Sequence, residues 1–178
     1  MKIIILLVFL IVFSIKNMTS ANENINLYNF SFEDIDGNQV NLQKFKGKPI
    51  LVVNTASRCG FTPQYENLQN LFLEYKDTDL TIIATTSNSF SQEYLDTEDI
   101  KKICLVNYQI GFITSSPMNV KGGDLHPLYS WIKKEYDKSP KWNFFKFLFN
   151  RKGELVESWS SMTKPDSSKI TKQIDKLI

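Results

Sequence analysis

The sequence has few of the residues that specialised protein classes require. Two cysteines are too few for a disulfide-stapled miniprotein or a cysteine-rich zinc site, and one histidine excludes most histidine-based metal centres. The 21 basic and 19 acidic residues nearly cancel, so charge does not indicate a nucleic-acid partner. With 178 residues, 42% of them hydrophobic, the chain is instead typical of one globular domain with a sizeable core.

The sequence also lacks an apolar run long enough to span a membrane. Residues 3–15 are apolar except for Ser14, whereas a spanning helix needs about 20 such residues. The lysines on either side and the small residues that end at Ala21 predict a secretory signal peptide over residues 1–21, with an uncleaved anchor as the alternative. We therefore expect residues 22–178 to form the domain of a protein that is exported to a periplasm or secreted.

The remaining sequence alternates between strand and helix patterns. Alternating apolar and polar residues around a turn at 36–38 predict an N-terminal hairpin. Two apolar runs rich in β-branched residues predict parallel strands, and apolar residues at helical spacing predict four helices. The predicted strands are 50–54, 81–85, 144–149 and 154–159, and the predicted helices are 62–75, 96–108, 125–136 and 166–178.

The order of these elements predicts the fold class. A strand–helix–strand–helix start gives a parallel sheet, and the hairpin at 144–159 adds antiparallel strands before the closing helix. This order is typical of an α/β thioredoxin-like fold, with a central mixed sheet flanked by helices and an N-terminal β-hairpin. Residues 109–124 carry no clear pattern.

Cys59 is the first candidate for chemistry. It lies where the first buried strand gives way to a helix, which Thr62 is predicted to cap and whose first turn suits Pro63. Free backbone N–H groups at such a junction favour a thiolate. The third residue after Cys59 is Thr62, so the local disulfide of a Cys-x-x-Cys motif is absent. The alternative is that Cys59 merely fills the core.

Cys104, the second cysteine, has a helical spacing that suits the core. If Cys59 is oxidised to a sulfenic acid, however, Cys104 is the one other thiol in the chain with which it could condense. Such a bridge would require the Cys104 helix to move or to unwind in part.

Two sequence segments resemble the glutathione peroxidase family. Residues 54–65, NTASRCGFTPQY, resemble its active-site signature, and residues 141–144, KWNF, resemble its second signature. Residues 32–37, 125–129 and 141–153 extend the resemblance over nearly all of the predicted domain. The resemblance implies a thioredoxin-like fold and a thiol peroxidase that reduces hydrogen peroxide and organic hydroperoxides in defence against oxidative stress.

The resemblance also implies roles for individual residues. Cys59 matches the peroxidatic cysteine, and Cys104 lies where the thioredoxin-dependent branch of the family has its resolving cysteine. Trp142 and Asn143 match residues whose N–H groups can stabilise the thiolate and the departing oxygen. Ser89 aligns with a family glutamine that it replaces.

The replacement of that glutamine removes an expected hydrogen-bond donor. The hydroxyl of Ser89 is shorter than a carboxamide and would need a bridging water to reach Cys59. Gln92, three residues further on, is a candidate substitute donor. A weakened activity would follow if neither residue supplies the donor.

The leading hypothesis is thus a peroxidase that needs no metal, flavin or nucleotide. Its expected partners are a hydroperoxide substrate and a thiol reductant, either a thioredoxin-like protein or glutathione. Because the segment between Pro127 and Trp142 is short and lacks the insertion that resembles the assembly loop of tetrameric members, a monomer is expected. The alternatives are a thiol-disulfide exchange protein or redox sensor, and a thioredoxin-fold binding module that has lost its activity.

Overall fold

The computed structural model describes residues 25–178. The signal peptide predicted for residues 1–21 lies outside this range. The helices are α1 (Gln64–Glu74), α2 (Thr97–Lys101), α3 (Pro127–Tyr136) and α4 (Ser168–Ile174), and the strands are β1 (Ser31–Glu33), β2 (Gln39–Asn41), β3 (Ile50–Thr55), β4 (Thr81–Thr86), β5 (Ile113–Thr114), β6 (Lys146–Phe149) and β7 (Leu155–Trp159). Short 3₁₀ helices cover Leu27–Asn29 and Leu42–Phe45, and a π-helical segment covers Lys102–Asn107.

A five-stranded mixed sheet forms the centre of the molecule, with the order β5-β4-β3-β6-β7. The middle strand, β3, pairs in parallel with β4 and antiparallel with β6. All six residues of β3 are buried, as expected for an apolar run covered on both faces. Strands β1 and β2 form a separate antiparallel hairpin, as the sequence predicts.

Helices cover both faces of this sheet because its side chains alternate between two buried clusters. Leu51 and Val53 of β3 point to the cluster formed with α1, α2 and α4. Ile50 and Val52 point to the cluster formed with α3 and the β1–β2 hairpin. The predicted arrangement of a mixed sheet flanked by helices, with an added hairpin, is therefore present.

Several element boundaries differ from the predicted ones. Strand β5 lies in the stretch that has no sequence pattern, because a two-residue edge strand is too short to show an alternation. The helix predicted over 96–108 changes from α to π geometry at Lys102. Strand β6 begins at Lys146 rather than at 144, because Phe144 has a positive φ of 60° that interrupts the extended backbone. Within residues 25–178, no helix has the length and apolarity needed to cross a membrane.

Candidate active site

The Cys59 loop, residues 56–62, connects the end of β3 to the start of α1. Cys59 exposes 6% of its surface, while its neighbours Arg58 and Gly60 are exposed, so the cysteine lies just beneath the protein surface. The backbone N–H of Phe61 donates a hydrogen bond to Cys59 Sγ at 3.4 Å. The loop backbone thus holds an N–H donor against the cysteine sulfur.

Thr62 holds the Cys59 loop in place and does not cap the helix. Its Oγ1 accepts a hydrogen bond from Cys59 N at 3.0 Å and donates one to Ala56 O at 2.9 Å. The prediction that Thr62 caps α1 is therefore wrong, since the N-cap is Pro63 and carries no side-chain cap bond. Helix α1 begins only at Gln64, so Cys59 precedes the helix rather than lying in its first turn.

The 142–145 turn, which carries Trp142 and Asn143, is fastened to the end of β3 by Asn54. The Asn54 side chain donates to Trp142 O at 3.1 Å and accepts from Phe145 N at 3.1 Å. Its backbone carbonyl accepts from Phe144 N at 2.5 Å. Asn54 thus holds this turn at the strand end from which the Cys59 loop departs.

Trp142 and Asn143 have different environments within this turn. Asn143 is fully buried, and its Nδ2 donates to Gln92 Oε1 at 3.2 Å. Trp142 is 40% exposed, and its ring lies 5.2 Å from that of Phe90, centroid to centroid. Within residues 25–178, neither side chain forms a hydrogen bond with Cys59, and the roles predicted for both remain predictions.

The 88–93 turn follows β4 and contacts both the Cys59 loop and the 142–145 turn. Gln92 O accepts from Arg58 N at 2.9 Å, and Glu93 Oε2 accepts from Ser57 N at 3.0 Å. Burial raises the pKa of the Glu93 carboxyl, and the hydrogen bonds from Ser57 and Tyr94 offset part of that rise. The turn therefore places a half-buried amide and a buried carboxyl against the Cys59 loop.

Ser89 belongs to the same turn, but its hydroxyl is engaged elsewhere. Ser89 Oγ accepts from Val120 N at 3.0 Å and from Ser87 Oγ at 3.0 Å. In the described part of the chain, it makes no hydrogen bond with Cys59 or Asn143. Gln92 is the residue of this turn that contacts Asn143.

Cys104 lies in the π-helical segment and is fully buried. Burial raises the pKa of its thiol to about 11; the nearby Tyr65 hydroxyl offsets part of this rise and the Glu93 carboxylate adds to it. Cys104 is therefore a neutral thiol near pH 7. Both cysteines are free, and both belong to the buried cluster on the α1 side of the sheet.

Asn54, Thr62 and Glu93 hold the site together through contacts that the sequence does not predict, although Asn54 and Thr62 lie within the 54–65 segment. Asn54 is a polar residue at the end of an otherwise apolar strand, which indicates that its side chain has hydrogen-bond partners in the folded protein. Among residues 25–178, no three His, Cys, Asp or Glu side chains are grouped so that they could hold a metal ion.

A mixed α/β sheet whose central strand leads to a single cysteine, without a second cysteine in the same loop, is typical of thiol-dependent oxidoreductases of the thioredoxin-like class. The glutathione peroxidase family model matches residues 27–133. A glutathione peroxidase of Lactococcus lactis is 38% identical over 86% of this chain and 100% of its own length. A glutathione peroxidase-like peroxiredoxin of Schizosaccharomyces pombe is 41% identical over 78% of this chain and 91% of its own.

A solved structure supports the same assignment. The crystal structure of T. cruzi GPX1 superimposes with a TM-score of 0.66 at 30% identity, over 86% of this chain and 96% of that one. The chain belongs to the glutathione peroxidase family, and the thioredoxin-like fold predicted from the sequence is confirmed. The protein is a thiol peroxidase that acts in the defence against oxidative stress, and the exchange-protein and binding-module alternatives are not favoured.

Proposed function

We propose that Cys59 is the peroxidatic residue of this peroxidase, that Cys104 resolves its oxidised form, and that a thioredoxin-like protein or glutathione reduces the resulting disulfide. The observation that carries this proposal is the hydrogen bond from Phe61 N–H to Cys59 Sγ at the end of the central strand. A sulfur that is held close to the surface and accepts a backbone hydrogen bond is suited to attack a hydroperoxide.

The proposed cycle is balanced in three steps. The Cys59 thiolate attacks the terminal oxygen of a hydroperoxide, the O–O bond breaks, and the other oxygen leaves as an alcohol or water after taking up a proton. The Cys104 thiol then attacks the Cys59 sulfenic acid, which forms an S–S bond and releases water. Finally, the two thiols of a thioredoxin-like protein, or two glutathione molecules, reduce that bond and are themselves oxidised to a disulfide.

Trp142 and Asn143 are proposed to supply donors for the first step. The departing oxygen carries negative charge when the O–O bond breaks, and N–H groups near it lower the barrier. The position of the 142–145 turn supports this role, since Asn54 fastens it to the strand that leads to Cys59.

The difference between the two cysteine environments supports the order of the steps. A thiol is a poor nucleophile while it is protonated, and burial keeps Cys104 in that form. Cys59 accepts a backbone hydrogen bond near the surface and is therefore expected to react with the oxidant first.

Mass spectrometry of two single variants tests this proposal. We expect reduced Cys59→Ser to leave hydrogen peroxide unconsumed, because the remaining thiol is buried and protonated. We expect Cys104→Ser to react once and then accumulate a sulfenic or over-oxidised Cys59, because no thiol can condense with it. The wild-type protein should instead lose two hydrogens as it forms one disulfide, about 2 Da.

The opposite results have defined meanings. A wild-type Cys59 that stays inert to hydrogen peroxide and cumene hydroperoxide contradicts the peroxidatic role. If peroxide reacts slowly while a mixed disulfide with a partner protein forms readily, the exchange-protein reading replaces it. If Cys104→Ser turns over unchanged with glutathione, Cys104 does not resolve the intermediate.

We further propose that the protein acts after export, as a monomer, in a periplasm or outside the cell. The leader-like composition of residues 1–21 supports export. The short connection between α3 and the 142–145 turn supports the monomer, because it leaves little chain for an assembly loop.

A further inference from the structure

Gln92 is in contact with both of the loops that form the proposed site. Its backbone carbonyl accepts from Arg58 N at 2.9 Å, directly before Cys59 in the chain. Its side-chain Oε1 accepts from Asn143 Nδ2 at 3.2 Å. One residue therefore joins the Cys59 loop to the buried amide of the 142–145 turn.

The 88–93 turn holds Gln92 in a fixed position. Ser91 has a positive φ of 57°, which folds the chain back so that Gln92 and Glu93 face the Cys59 loop. Asn88 stabilises this bend, since its carbonyl accepts from Ser91 N at 2.8 Å and its Oδ1 accepts from Glu93 N at 3.0 Å. The Glu93 carboxyl then bonds to Ser57 N in the Cys59 loop.

Asn143 depends on Gln92 for the orientation of its amide. Asn143 is fully buried, and its Oδ1 has no hydrogen-bond partner in the described part of the chain. The bond from Nδ2 to Gln92 is the side-chain contact that fixes which way the amide faces. Without this contact, the Asn143 amide could rotate about its last side-chain torsion.

We propose that Gln92 is a positioning residue of the peroxidase, which holds the Asn143 amide at a fixed place relative to the Cys59 sulfur. This inference rests on the proposed function, and it deepens that function by assigning a residue that acts through Asn143. Gln92 thereby connects the 142–145 turn, which carries the proposed donor Asn143, to the Cys59 loop, which carries the proposed nucleophile.

A double-mutant cycle tests this coupling. The rate constant for oxidation of Cys59 by hydrogen peroxide is measured in the wild type, Gln92→Ala, Asn143→Ala and the double variant. We expect Gln92→Ala to lower the rate at least about tenfold in the wild-type background. In the Asn143→Ala background, we expect the same change to lower it less than about twofold, because the residue through which Gln92 acts is gone.

Alkylation of Cys59 separates positioning from a merely structural effect. Iodoacetamide breaks no O–O bond, so the rate constant of Cys59 alkylation should stay within about twofold of the wild-type value in Gln92→Ala and in Asn143→Ala while the peroxide rate falls, because the oriented donor acts on the departing oxygen. Gln39→Ala, which removes an exposed glutamine on the β1–β2 hairpin, serves as the matched control and should leave the peroxide rate and the alkylation rate unchanged. If Gln92→Ala fails to fold, Gln92→Met keeps the side-chain length without the acceptor.

The failures of the two proposals can be told apart. If wild-type Cys59 does not react with peroxide, the proposed function is wrong. If the wild type reacts, the Gln92 inference alone is overturned by an undiminished peroxide rate in Gln92→Ala, by an equal loss in both backgrounds, or by an alkylation rate that falls as far as the peroxide rate.

Discussion

The side chain of Asn54 binds the 142–145 turn to the end of β3. Its fully buried amide forms hydrogen bonds with Trp142 O and Phe145 N, two backbone groups of the 142–145 turn. We expect Asn54→Ala to lower the free energy of unfolding by about 1–3 kcal/mol, because two hydrogen bonds that contribute about 0.5–1.5 kcal/mol each are lost. Urea unfolding of the reduced protein measures this loss.

Asn70→Ala is the matched control for this substitution. Asn70 is exposed on α1, where alanine is the better helix former, so the change should leave stability equal or slightly higher. An Asn54→Ala protein as stable as Asn70→Ala would mean that the 142–145 turn does not depend on Asn54.

The residues of the site divide into those with a local sequence signature and those without. Cys59, Trp142 and Asn143 lie in short motifs, so the family resemblance could point to them directly. Asn54 also lies in the 54–65 motif, but its partner Phe145 is 91 residues away, and Glu93 lies 36 residues from its partner Ser57, so no local pattern indicates either contact. Such residues become visible only when the fold brings the loops together.

Helices and strands with a clear repeat of hydrophobic residues could be predicted from the sequence, whereas elements that depend on tertiary contacts could not. Strands β3 and β4 and helices α1 and α3 lie within about two residues of their predicted bounds, a normal uncertainty for helix and strand ends. The two-residue strand β5 forms because it pairs with β4. The positive φ of Phe144 delays the start of β6, and a backbone angle of this kind leaves no mark on hydrophobic spacing.

The π-helical segment Lys102–Asn107 is the element on which the proposed resolving step depends. It carries Cys104 fully buried, and π geometry is less favourable than α geometry. We expect oxidation by peroxide to open this segment, because both cysteines are free and Cys104 is fully buried, so its sulfur must leave its packed position to bond to Cys59 and the neighbouring backbone becomes exposed. Amide hydrogen exchange in 102–107 should then be at least about tenfold faster in the oxidised than in the reduced protein.

Cys104→Ser provides the control for this exchange experiment. In that variant no bridge can form, so peroxide should leave the exchange of residues 102–107 at its reduced level. Equal exchange in oxidised and reduced wild type would mean that Cys104 reaches Cys59 without unwinding, or does not reach it at all.

At the scale of the whole molecule, a buried lysine links the sheet to the helical layer. Lys146 on β6 is fully buried, and its Nζ donates to Gln64 Oε1 at 2.5 Å and to Thr163 O at 2.7 Å. Burial lowers the pKa of Lys146 to about 7, from 10.5. The Lys146 ammonium group therefore loses its proton near pH 7 in the folded protein but only near pH 10 in the unfolded chain. Because of this difference, the free energy of unfolding depends on pH.

The sign of this dependence follows from the proton balance. Between about pH 7 and pH 10 the folded protein binds fewer protons at Lys146 than the unfolded chain, so the contribution of Lys146 to stability rises with pH over this range and is lost as the pH falls from about 10 to about 7. Cys104 works in the opposite direction, since its pKa is raised from 9.0 to about 11, so stability is lost there only above pH 9. We therefore expect the wild-type free energy of unfolding to rise by about 1–2 kcal/mol between about pH 7 and pH 9, given a limit of about 1.4 kcal/mol per pH unit for one proton.

Lys146→Met tests whether this one side chain is responsible for the rise. Methionine has a similar length and carries no charge, so the variant should give a flat profile over the same range, whatever its stability at a single pH. Urea unfolding of both reduced proteins at several pH values gives the two slopes. Loss of the hydrogen bonds to Gln64 and Thr163 changes the free energy of unfolding by the same amount at every pH and does not change its slope against pH. A slope in Lys146→Met as steep as that of the wild type would therefore assign the pH dependence to another group.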